Sequence, residues 1–125
     1  MADAIDKKAI KNLLDSIDHD REFFLELVEI YLAESPAMIN SMRQAARDGD
    51  VQTFHRTAHT LKSNSSNFGA HTLAQISKSL EDLGRSGSLS TDEPRIIEAE
   101  NELGRVREEL EEIISAVSAD GIENR

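Results

Sequence analysis

The sequence predicts an all-α protein: an antiparallel four-helix bundle with an additional short helix at the N-terminus. Three observations lead there. Apolar residues recur at intervals of three and four along most of the chain, and no segment alternates convincingly with period two. Most breaks between the periodic segments are short and carry Asp or Gly at capping positions, which suits antiparallel neighbours. The last segment, Ile96, Ala99, Leu103, Val106, Leu110, Ile113 and Val117, is spaced 3-4-3-4-3-4, a narrow seam of the kind that packs against other helices at shallow angles.

The elements follow in order. Ile5 to Ile17 reads as a short helix with Ile10, Leu13, Leu14 and Ile17 on one side and Asp6 as a candidate N-cap. The stretch Ser16 to Asp20 breaks it, which places His19 in a loop. Asp20 opens a long helix through Phe24, Leu27, Tyr31, Met38, Met42 and Ala45. Pro36 lies inside this pattern, so either two helices meet near Glu34–Ser35 or one helix kinks there. The apolar spacing resumes in phase after the proline, which favours the kink. Met38 and Met42 read as core filling.

Gly49 suits the position just past a helix and Asp50 the cap of the next, making a tight turn. The third helix is expected from about Val51 to Asn67, with the stripe Phe54, Ala58, Leu61 and Phe68 interrupted by Ser65. Gly69 then ends it or bends it sharply. A shorter helix follows over about Thr72 to Leu83, with Leu73, Ile76, Leu80 and Leu83 inward. Gly84 to Ser90 reads as the one real linker, Thr91 or Asp92 as the cap of the last helix, and Pro94 fits its first turn. Residues 1–118 form one domain in this reading, and 119–125 a frayed tail.

Composition narrows the function. The chain has 125 residues, 38% of them hydrophobic, with a formal charge of −10 and no cysteine. One modest core is what such a length supports. The acidic balance argues against nucleic acid as a partner, because a polyanion is bound by clustered Lys and Arg. Without cysteine there is neither a disulfide nor a thiolate zinc site. No apolar run approaches the roughly 18–20 residues that span a bilayer, and the N-terminus lacks the apolar stretch of a signal peptide. A soluble cytoplasmic chain is expected, with no membrane insertion.

The stretch from Thr57 to Ala70, TAHTLKSNSSNFGA, stands apart. With Ala58 and Leu61 facing the core, His59 lies about 100° away from Ala58 and therefore at the surface. Its neighbours one turn away are His55, Arg56, Lys62 and Ser63, with Ser66 two turns on. Ser and Asn are poor residues for an exposed helix face, since they compete with the backbone for hydrogen bonds. Here they lower the surface so that a partner can approach the imidazole. His55 and His59 also have the i, i+4 spacing of a zinc pair, but no HExxH pattern accompanies them and His71 lies beyond Gly69, so no metal is expected.

Ala58-His59-Thr60-Leu61-Lys62, the small residues after it, and Phe68-Gly69-Ala70 closely resemble the signature of the histidine-containing phosphotransfer (HPt) domain. Leu80-Glu81-Asp82-Leu83 matches the family's Leu-Glu position in the following helix, and Leu27–Ala46 with Gly49-Asp50 looks like its long second helix and turn. The similarity covers roughly residues 10–115. One position departs: the family usually has glycine directly after the lysine, and Ser63 stands there.

The resemblance implies a phosphorelay intermediate that takes a phosphoryl group on His59 from a receiver-domain phosphoaspartate or a kinase and passes it to another receiver. The chemistry suits the residues. An imidazole with an ordinary pKa of about 6.5 is largely neutral at cellular pH and offers one ring nitrogen as nucleophile. Lys62 supplies positive charge for the phosphoryl oxygens. By resemblance, Glu81 lies near the second ring nitrogen, where it would accept a hydrogen bond and orient the ring. Arg85 is a further candidate cation, and Ser63, Ser66, Arg56 and His55 complete the expected partner surface. No Gly-rich phosphate loop or Mg²⁺-holding carboxylate cluster is present, so autonomous kinase activity is not expected and Mg²⁺ belongs to the receiver partner. A monomer is the simplest expectation. Two alternatives are a module of a larger hybrid or chemotaxis-type kinase, and a helical adaptor that binds receivers without accepting phosphate.

Overall fold

The computed structural model describes residues 3–87 and 89–116, and among them every regular element is helical. α1 spans Lys7–Ser16, α2 Arg21–Asp48, α3 Val51–Asn67, α4 His71–Ser86 and α5 Pro94–Ala116. α2 packs on α3 and α5, and α4 packs on the same two, so four helices close around one core. This is the expected helical bundle. The expected tail at 119–125 and the last seam residue, Val117, lie outside the described residues.

The caps of the first three helices are those the sequence predicts. The carboxylates of Asp6, Asp20 and Asp50 accept from the backbone N–H groups of Lys8, Phe23 and Thr53, satisfying donors that a helix start leaves orphaned. Gly49 takes the left-handed φ of 69° that ends α2. The first helix starts later than its apolar pattern suggests. Ala4 and Ile5 precede the cap, are buried, and donate their N–H groups to the two oxygens of Glu109 on α5, each at 2.8 Å. Asp6 N–H donates to the Gly69 carbonyl at 2.9 Å. At Gly69, with φ 73°, a Cβ would sit 2.7 Å from both Asp6 O and Ala9 Cβ. The helix stop is therefore also the seat on which the N-terminal segment rests.

α2 runs through Pro36 as one helix. Proline has no N–H to offer the Leu32 carbonyl four residues back, which would leave a buried acceptor unsatisfied. Arg107 of α5 fills the gap, its guanidinium donating to Leu32 O at 2.9 Å. Arg107→Ala is therefore expected to lower stability by about 1–2 kcal/mol in urea unfolding. Adding Pro36→Ala, which restores the helix bond, should remove most of that cost. Additive costs in the double variant would contradict this role.

Two departures come from helical phase. α4 does not end at Leu83: it continues to Ser86, so Gly84, expected to open a linker, lies inside the helix and is buried. Its buried face is Leu73, Ser77, Leu80, Glu81 and Gly84, with Ile76 and Leu83 only partly covered. α5 begins at Pro94, and Glu93, rather than Thr91 or Asp92, accepts from a first-turn N–H, that of Arg95 at 3.1 Å. Ser65, which looked like a gap in the α3 stripe, is fully buried; its hydroxyl shares a 2.8 Å hydrogen bond with Tyr31, whose ring stacks on Phe68. Burial pushes the Tyr31 phenol up to about 12, against the hydrogen bonds that Ser65 and Ser35 provide. The phenol stays neutral, and the pair serves as a satisfied polar contact inside the α2–α3 packing.

Candidate functional site

α3 and α4 are the most closely apposed pair of helices, and the site lies on their shared face. Close approach is possible because Gly84 has no side chain. A Cβ there would lie 3.0 Å from Phe54 Cδ1 and 3.2 Å from both Cα and Cβ of His55. Glu81, one turn earlier on α4, is thereby brought beneath the exposed ring of His59 on α3.

His59 Nδ1–H donates to Glu81 Oε2 at 2.7 Å, and Lys62 Nζ donates to Glu81 Oε1 at 2.7 Å. The carboxylate is an obligate acceptor, so it sets the His59 tautomer: Nδ1 carries the proton and Nε2 keeps its lone pair. Among the described residues Nε2 has no hydrogen-bond partner. The His59 side chain is 56% exposed, whereas that of Glu81 is only 5% exposed. The ring is thus held at its base and open at its nucleophilic edge.

Burial raises the Glu81 pKa, but the hydrogen bonds from Lys62 and His59 and their charge outweigh it and bring the carboxyl down to about 2. Two further groups face the same oxygen at 3.9 Å, His55 through Nε2 and Arg85 through Nη2. Arg85 reaches toward Asp82 as well. A hollow of roughly 780 Å³ opens beside His59, lined in part by His55, Arg56, Glu81, Gly84 and Arg85. In a chain of net charge −10, this face gathers Arg56, Lys62 and Arg85 around one compensated carboxylate.

The structure brings His59, Lys62, Glu81, His55 and Arg85 together, with Arg56 on the rim. Ser63 and Ser66 are both exposed, but Ser66 opens onto a different hollow, bordered by Leu13 and Leu27, toward α1 and the start of α2. Gly84 was the positioning residue missed by reading a linker. The available signal was the continuation of the Leu73, Ser77, Leu80 spacing to position 84. Gly84→Leu should force the helices apart, costing about 2–3 kcal/mol of stability, and weaken the His59–Glu81 bond. Calorimetry and the His59 ring-nitrogen chemical shifts would measure the two effects; an unchanged ring spectrum would contradict the positioning role.

Among the described residues no helix is long and apolar enough to cross a membrane, and no three His, Cys, Asp or Glu side chains are placed to hold a metal ion. No curated protein matches the chain. Two solved structures are similar. The crystal structure of histidine-containing phosphotransfer protein B from Pseudomonas aeruginosa PAO1 matches with a TM-score of 0.82 at 28% identity, covering 92% of this chain and 97% of that one. The HPT domain of a sensor hybrid histidine kinase from Shewanella matches with a TM-score of 0.67 at 24% identity, covering 87% and 94%. The Hpt domain model matches residues 26–119, a span holding the histidine, the lysine and the carboxylate just described. With an exposed histidine oriented from beneath on this bundle, and that match over most of its length, the chain belongs to the Hpt domain family and has a phosphotransfer role in two-component signalling.

Proposed function

We propose that His59 is the phosphoacceptor, taking a phosphoryl group from a receiver-domain phosphoaspartate or a kinase and passing it to the aspartate of another receiver. The observation that carries this reading is the 2.7 Å bond from His59 Nδ1 to buried Glu81, which fixes the tautomer, with Nε2 on a solvent-facing ring and without a partner among the described residues. In the transfer, the Nε2 lone pair forms the P–N bond as the P–O bond to the aspartyl carboxylate breaks. The carboxylate leaves with its electrons, and the proton on Nδ1 stays in the bond to Glu81. Lys62 lies one turn from His59, and releasing a single hydrogen bond to Glu81 frees its ammonium for the phosphoryl oxygens. Arg56, His55, Arg85 and Ser63 form the surface a receiver would meet around His59, with charge at its rim, and Ser66 would extend it toward the hollow beside α1.

In this reading the protein acts as a monomer in the cytoplasm and does not use ATP itself. The Mg²⁺ that assists transfer belongs to the receiver. The chemistry is the same for a free-standing protein and for a module of a larger kinase. The test is incubation with a phosphorylated receiver, followed by acid and alkali treatment of the labelled protein. Acid-labile, alkali-stable label is expected. Stable binding of the receiver without any transfer would replace this reading with that of an adaptor.

A further inference from the structure

His55 stands one helical turn before His59 and enters the site by an unusual route. The absent side chain at Gly84 lets the His55 backbone lie against α4, within 3.2 Å of where a Cβ at position 84 would be. The imidazole is thereby carried toward the carboxylate, with Nε2 at 3.9 Å from the Glu81 oxygen that holds His59. That distance is about an ångström too long for a hydrogen bond. The other ring nitrogen, Nδ1, is buried and has no partner among the described residues. A buried ring nitrogen tolerates this better as a lone pair than as an N–H, which puts the proton on Nε2, facing the carboxylate. His55 therefore holds a donor N–H close to an oxygen that accepts from His59 and keeps a second lone pair.

The number of donors on the carboxylate falls if Lys62 moves. Glu81 is buried, charged and held by two donors, Lys62 on one oxygen and His59 on the other. When Lys62 turns to a phosphoryl group on His59, the carboxylate loses one donor in a place where water is scarce, which is costly for a charge. We infer that His55 makes up the lost donor: it closes onto Oε2, beside His59, when Lys62 leaves Oε1, keeping the carboxylate ionised and the His59 tautomer fixed through the transfer. His55 is thus a positioning residue that acts through Glu81. Arg85 is at the same distance, but it is 66% exposed against 30% for His55 and also reaches toward Asp82. It gains less from a bond to the buried oxygen because water already solvates it.

This role rests on the proposed departure of Lys62 from Glu81, but it is testable without phosphate, so it can fail while His59 phosphorylation stands. Lys62→Met removes the lysine donor permanently. In urea unfolding of the full chain, the rise in the unfolding constant caused by Lys62→Met should be at least about 10-fold larger in a His55→Phe background, a coupling of about 1.4 kcal/mol. His55→Gln, whose amide can still donate, should restore most of the wild-type behaviour. In Lys62→Met alone, the His55 Nε2–H resonance should shift downfield and exchange more slowly with water. Additive costs with an unmoved His55 resonance would overturn the inference. So would coupling that appears with Arg85→Gln instead.

Discussion

His59→Gln should leave no acid-labile label on the protein after incubation with a phosphorylated receiver, with unfolding shifted by less than about 0.5 kcal/mol. The loss is complete because glutamine offers no ring nitrogen, and the other histidines do not replace it. His55 lies against Glu81 and is mostly covered, His71 pairs with Asp6 at 3.0 Å, and His19 pairs with Asp15 at 2.7 Å. The fold should survive because the replaced side chain is mostly in solvent and a glutamine amide can still donate toward Glu81. Equal labelling of wild type and variant would remove His59 from the chemistry.

Glu81→Ala should have the next largest effect, slowing phosphoryl acceptance by about 10–100-fold, as loss of the carboxylate behind a metal-bound histidine does. Without the carboxylate, the His59 proton can sit on either nitrogen, and Lys62 is no longer held next to the ring. Glu81→Gln should lose less, since its carbonyl oxygen can still accept from Nδ1 although its amide cannot accept from Lys62. The same residue makes a prediction about pH. Its carboxyl is depressed from an ordinary 4.5 to about 2, so its contribution is present above the unfolded value and is lost as pH falls through the folded one. Wild-type stability should therefore drop between pH 4.5 and 2 by more than that of Glu81→Gln. Parallel stability curves for the two proteins would show that the carboxylate is not held as the geometry implies.

Much of this was legible in the chain itself, where local chemistry is self-sufficient. Asp6, Asp20 and Asp50 announce helix starts because a short carboxylate reaches the second or third N–H ahead of it in any context. His59 falls on the open face because Ala58 and Leu61 beside it must be buried. The readings that failed depended on what lies across a helix interface. A glycine in GRSGS looks like a linker until its neighbour is known, and Gly84 has the Phe54 ring and the His55 backbone against it. Ser65 looks like a flaw in an apolar stripe until Tyr31 supplies its partner from α2.

The helical periods, the caps of the first three helices, the left-handed turn at Gly49 and the histidine face follow from the chain alone, because each depends on residues within about one turn of one another. The surroundings of Glu81 come from the packing of helices. Lys62 and His59 come from one helix and Glu81 from the next, separated by 19 and 22 positions. No local rule sets that distance. It is set by how near α3 and α4 can approach, and the empty space at Gly84 is what allows it.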